Sequence, residues 1–170
     1  MVMIPMILTI ALSQTIPSQK PNLIRTESFQ MGQTTVSYCH QITSPDGDTL
    51  LKPKSTEVNP VASNCQTVVQ TLLNNSTGSF IAPPNTWVVV SAGDCAVTFQ
   101  NNVMEHNHYV QSTWAKLGLE SEKILAHCLI PNPASHGGQC MFGSYLDYNL
   151  DNLGLVVSGW SDERDIAKSL

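Results

Sequence analysis

Five cysteines, Cys39, Cys65, Cys95, Cys128 and Cys140, are spread along the chain, and no two stand in Cys-x-x-Cys spacing. A structural zinc site normally brings at least one close ligand pair, so these thiols do not read as a metal centre. In an oxidising compartment they read as two disulfides with one thiol left over. A chain of 170 residues, 42% of them hydrophobic, has apolar surface for one core and one domain. Only 12% of its residues are charged, about half the usual ~25% share. Solubility then falls to Ser, Thr, Asn and Gln, which suits an extracellular setting. The net charge of -5 gives no basic field to gather phosphate backbones, which argues against a nucleic-acid partner.

The first twelve residues, Met1 to Leu12, form an apolar run too short to span a bilayer but of the length of a signal peptide's hydrophobic region. Residues 1–13 are therefore expected to be a signal, although no Lys or Arg precedes the run; the competing reading is a buried N-terminal strand. Residues 14–32 show neither helical nor strand periodicity and are expected to be a flexible leader. Residues 33–160 would form the domain and 161–170 a tail. Asn74-Asn75-Ser76-Thr77 holds two overlapping glycosylation acceptors, Asn74 and Asn75.

Within the domain, Thr34 to Ile42 alternates β-branched and aromatic residues, and a Pro45-Asp46-Gly47-Asp48 turn leads to a second extended run at Thr49-Leu50-Leu51. One of the two is expected to be the first core strand. Asn59 to Asn75 reads as an amphipathic helix with Asn59 as cap, Pro60 at the first position, and Val61, Cys65, Val68, Val69 and Leu72 on the buried stripe. Strands are expected at Ser79–Ala82, Trp87–Ser91 and Cys95–Phe99. A second helix is predicted from Asn102, with an Asn-x-x-Glu capping box to Glu105 and a stripe of Val103, Val110, Trp114 and Leu117, ended by Gly118. Ser121 to Ile130 is ambiguous between helix and strand, Gly137-Gly138 falls in a loop, and Leu155 to Trp160 closes the domain as a strand. This order predicts an α+β fold, an antiparallel sheet with two helices on one face in the split βαβ, ferredoxin-like arrangement.

Chemistry-bearing residues are sparse. Glu105-His106-Asn107-His108 gathers two imidazoles and a carboxylate, but side chains two apart on a helix diverge by roughly 200° and cannot share a metal. Cys128 beside His127 lacks the facing geometry of a nucleophile and its base, and is read as a buried thiol or an intermolecular bridge that would make a dimer of an otherwise monomeric protein. Asp94, Asp147, Asp151 and Asp162 are read as turn residues. No nucleophile elbow, phosphate-cradling loop or His-Glu-x-x-His occurs. No catalytic residue, metal or cofactor is assigned. The candidate interaction surface is Tyr145, Leu146, Tyr148 and Leu150, a segment with aromatic rings and few charges.

One set of motifs carries a resemblance: Asn59-Pro60-Val61-Ala62-Ser63-Asn64-Cys65-Gln66, then Trp87 with Ala92-Gly93-Asp94-Cys95-Ala96-Val97, then Gly137-Gly138-Gln139-Cys140 and a closing Trp160. In the order and spacing of these motifs the chain resembles the necrosis-inducing factor domain of secreted fungal effectors, which are similar to small killer toxins. It departs from that pattern in Asn59 where Ser is usual, in the extra Cys128, and in a longer stretch between Cys39 and Cys65. The resemblance implies an extracellular effector that binds a host or competitor protein, glycan or membrane rather than catalysing a reaction. It also implies that Cys39, Cys65, Cys95 and Cys140 are the bridging cysteines; four cysteines allow three connectivities, of which Cys65 with Cys95, helix to strand, and Cys39 with Cys140 is preferred. The alternative is a small extracellular hydrolase, which would need His or carboxylate groups converging in a pocket.

Overall fold

A computed structural model describes residues 23–41, 59–102, 108–141, 144–145, 148–149 and 153–160. The expected signal peptide, the C-terminal tail, the turn at 45–48 and the run at 49–51 lie outside the described residues. The chain builds β1 (Leu23–Met31) and β2 (Thr34–Gln41), then α1 (Ala62–Asn74), β3 (Ser79–Ala82), β4 (Thr86–Ala92), β5 (Cys95–Asn101) and β6 (Val110–Thr113). It continues with α2 (Trp114–Ile124), a π-helical turn at Leu125–Leu129, β7 (Gly137–Met141), the short β8 (Ser144–Tyr145) and β9 (Tyr148–Asn149), and β10 (Leu153–Gly159). Six strands form one antiparallel sheet in the order β1-β2-β4-β5-β10-β7. β3 pairs with β6, and β8 with β9, as separate two-stranded ribbons.

The period of two decides which side chains meet the helices. Val36, Val88, Val90, Val97, Phe99, Leu155 and Val157 face one way and join Cys65, Val68, Val69 and Leu72 of α1 and Trp114, Leu117 and Ile124 of α2 in one core. Both helices thus lie on the same face, α1 over β4 and β5 and α2 over β7 and β10. On the opposite face Cys39, Val89, Ala96 and Trp160 form a smaller cluster against Trp87. The central strands are therefore buried on both sides, which suits the Val run of β4. Phe80 of β3 packs edge-on to Phe99 and at 4.6 Å, centroid to centroid, from Trp114. This contact ties the β3–β6 ribbon to the core.

An α+β fold with an antiparallel sheet and two helices was expected, and that is what forms. The strand order differs from split βαβ: β2 and β4, which flank α1, are direct neighbours, and β10 is inserted between β5 and β7. Residues 23–31, expected to be part of a flexible leader, form β1. It escapes periodicity because it is an edge strand with Ile24 and Phe29 left exposed, so neither face has to be apolar. The β1–β2 turn is made by Gly32 at φ +59°, a left-handed value that a side chain disfavours.

The second helix starts at Trp114, not Asn102. Thr113 is its cap, taking the Lys116 N–H on its hydroxyl at 3.2 Å. Val110 belongs to β6 instead, and Glu105 lies outside the described residues; Asn102 accepts a hydrogen bond from the Trp87 indole at 2.9 Å. Gly118 does not end the helix. It is buried at the crossing of the two helices, where a β-carbon would stand 3.0 Å from both Leu72 Cβ and the Leu73 backbone nitrogen. Glycine is there for close approach rather than as a stop signal. The ambiguous stretch after Ser121 is helical and passes into the π turn, closed by Ile130 N–H to Leu125 O at 3.0 Å. Gly137 and Gly138, expected in a loop, begin β7.

Candidate functional site

The helix α1 has two faces by composition. Its buried stripe is apolar, while Ser63, Gln66, Thr67, Gln70, Thr71 and Asn74 recur at steps of three and four on the other side. In isolation this is an ordinary solvated face. The β1–β2 turn changes that, because Met31, Gly32 and Gln33 rise beside it and border an open groove of about 680 Å³.

Two contacts hold the turn against the helix, and one more fixes the turn itself. Asn75, just past the last helical turn, donates from Nδ2 to Met31 Sδ at 3.0 Å and accepts the Gly78 N–H on Oδ1 at 3.1 Å. A β-carbon on Gly32 would stand 3.3 Å from the Thr71 methyl, so the absent side chain lets the turn sit close. Thr34 donates to Met31 O at 2.7 Å and fixes the turn's own shape. Inside the groove the Thr67 and Thr71 hydroxyls donate back to the helix carbonyls of Ser63 and Thr67 at 3.0 and 2.9 Å. Their oxygens are left as acceptors, while the Gln66 and Gln70 amides are exposed and offer both donor and acceptor. Among the described residues no ionisable side chain lines the groove.

The N-terminus of α1 is held from the sheet. No side chain of the helix caps it, and Val61, expected on the buried stripe, is 52% exposed. Instead Asp94, in the two-residue β4–β5 turn, accepts the Val61 N–H at 3.1 Å and the Asn64 amide at 2.8 Å. Gly93, at φ +56°, supplies the left-handed residue that such a hairpin turn requires. Beside this cap Cys65 and Cys95 form the disulfide joining α1 to β5, with Cα atoms 5.2 Å apart.

The expected Cys39–Cys140 bridge does not form, and Cys39, Cys128 and Cys140 carry no disulfide. Cys39 pairs in register with Trp87 and packs in the smaller cluster; Cys140 pairs with Leu155 and faces the helices. The two lie on opposite faces, with β4, β5 and β10 between their strands, a span of about 19 Å at the usual strand spacing. Burial, then the Glu120 carboxylate, pushes the Cys140 thiol above its ordinary range, with Lys123 opposing. Cys128, the expected leftover thiol, is half-buried on the core and not on the surface, its sulfur over Gly138 of β7.

Of the two glycosylation acceptors, Asn74 is exposed at the groove's end, whereas Asn75 is held as described. Tyr145 and Tyr148 are cross-strand partners in the β8–β9 ribbon; Leu146 and Leu150 lie outside the described residues, as do His106, Asp147, Asp151 and Asp162. His108 stands in the loop before β6, where its carbonyl accepts from Asn101 Nδ2 at 2.9 Å. The same buried amide also donates to Ala82 and Pro83 carbonyls, so Asn101 organises two loops at one end of the sheet. Among the described residues no three His, Cys, Asp or Glu side chains gather as a metal ion would need, and no helix is long and apolar enough to cross a membrane.

No family model matches the chain, and no curated protein or solved structure is detectably similar to it.

Proposed function

We propose that the chain is a secreted binding protein of the effector type it resembles, which engages a host or competitor surface through the groove between α1 and the β1–β2 turn. The observation that carries this reading is the groove's chemistry: amides and hydroxyls aligned along one helix face, with no acid or base among the described residues that line it. Such a lining is suited to recognising a partner by hydrogen bonds. The Cys65–Cys95 bridge is in keeping with an oxidising compartment.

The test is saturable binding of the labelled, full-length protein to plant and fungal cell-wall preparations, with the supernatant assayed for released sugars or peptides. Saturable retention without soluble products is the expected result. Products released in proportion to protein, or no retention on any surface, would overturn the reading.

A further inference from the structure

Resting on that reading, we propose that the groove between α1 and the β1–β2 turn is a binding site for a neutral oligosaccharide. The lining decides the class by elimination and by fit. Phosphate, sulfate, acidic peptides and anionic lipid need Lys or Arg, and among the described residues none lines the groove. Lipid tails and apolar side chains need a hydrophobic floor, and among the described residues Met31 is the one large apolar side chain in the lining.

What remains suits a ligand whose whole surface is hydroxyl. Each glutamine amide has a carbonyl acceptor and an NH2 donor side by side, the complement of two adjacent sugar hydroxyls, one donating and one accepting. Gln66 and Gln70 stand one helical turn apart on the same face, about 6 Å along the axis, so successive amides can meet successive parts of an extended chain. Gln33 faces them from the turn, and the Thr67 and Thr71 oxygens, whose protons are committed to helix carbonyls, accept from hydroxyls between them. The wall is pre-set by the Asn75–Met31 and Asn75–Gly78 bonds, so little ordering is needed on binding. Among the described residues no aromatic stacking platform lines the groove, which sets the affinity low, in the range of about 0.1–1 mM for a single site.

The experiment is a titration of the full chain, isotopically labelled and followed by NMR, with neutral oligosaccharides of glucose, xylose, mannose and N-acetylglucosamine. One of these series should give saturable shifts confined to amides of Met31–Gln33 and Ser63–Asn75. Gln66→Ala and Gln70→Ala should each weaken binding about tenfold. Both positions are exposed and alanine favours helix, so the variants keep the fold. Saturable shifts elsewhere, unchanged affinity in both variants, or no saturation with any series up to about 10 mM, would overturn the proposal. Should the protein still bind cell-wall preparations in that case, and protease treatment of the surface abolish it, the binding reading stands and the sugar assignment falls.

Discussion

Removing the Asp94 carboxylate isolates how far the sheet holds the helix. Asp94→Ala deletes the only side-chain acceptor found at the start of α1 among the described residues, a bond of 3.1 Å to Val61 N–H, and a second of 2.8 Å to the Asn64 amide. Loss of a helix cap costs about 1 kcal/mol, and a partly exposed side-chain hydrogen bond to a charged acceptor about 1 kcal/mol more. The charge at the positive end of the helix adds about 0.5 kcal/mol. We therefore expect Asp94→Ala to lose about 2.5 kcal/mol and Asp94→Asn, which keeps an acceptor but not the charge, about 0.5–1 kcal/mol. Urea unfolding with an unchanged slope would read both. A cycle with Asn64→Ala should show coupling of about 0.5–1 kcal/mol. A loss under about 0.5 kcal/mol for Asp94→Ala, or equal losses for the two Asp94 variants, would refute the trans-capping argument and leave the disulfide as the main tether.

The helix crossing and the edge hairpin give two more tests. Gly118→Ala forces a β-carbon to 3.0 Å from the Leu73 backbone nitrogen and should destabilise by about 1–3 kcal/mol despite alanine's better helix propensity, as thermal unfolding would show; a stabilised variant would mean that the helices part without cost. Burial first, and the cross-strand Glu27 second, raise the Tyr38 phenol above its ordinary range. The folded state then holds its proton more tightly than the unfolded one, so this stability is full below about pH 10 and is lost as pH rises towards the folded value. Tyr38→Phe should remove a late-titrating component from an ultraviolet phenolate titration and flatten the alkaline fall in stability; an unchanged titration curve would contradict the assigned cause.

The sequence was legible wherever burial imposes a period. The stripe of Cys65, Val68, Val69 and Leu72 placed α1, and the alternation of Cys95, Val97 and Phe99 placed β5, because each has one side on the core. It misled where a local pattern had two meanings. Val110 and Trp114 are four apart, as on a helix face, but belong to β6 and α2; Gly118 read as a stop because the neighbouring helix that needs its small size is invisible locally. The helix-to-strand pairing of Cys65 with Cys95 forms, whereas Cys39 and Cys140 were matched without knowledge of strand order, which long-range pairing decides. The groove was not foreseen, since Gln66 and Gln70 look like any solvated face until the turn at Gly32 stands beside them.

β10, the last described strand in sequence, lies inside the sheet, with β5 on one side and β7 on the other. While the chain is being made, β1 to β6 can pair among themselves, but β7 has no neighbour to join and the edge of β5 stays open. Sheet closure therefore waits for Leu153–Gly159, making the fold a late, single event rather than a growth from one end. Any fragment stopping short of those residues would expose β5, with Cys95, Val97 and Phe99 along it, as a strand edge ready to pair with another chain.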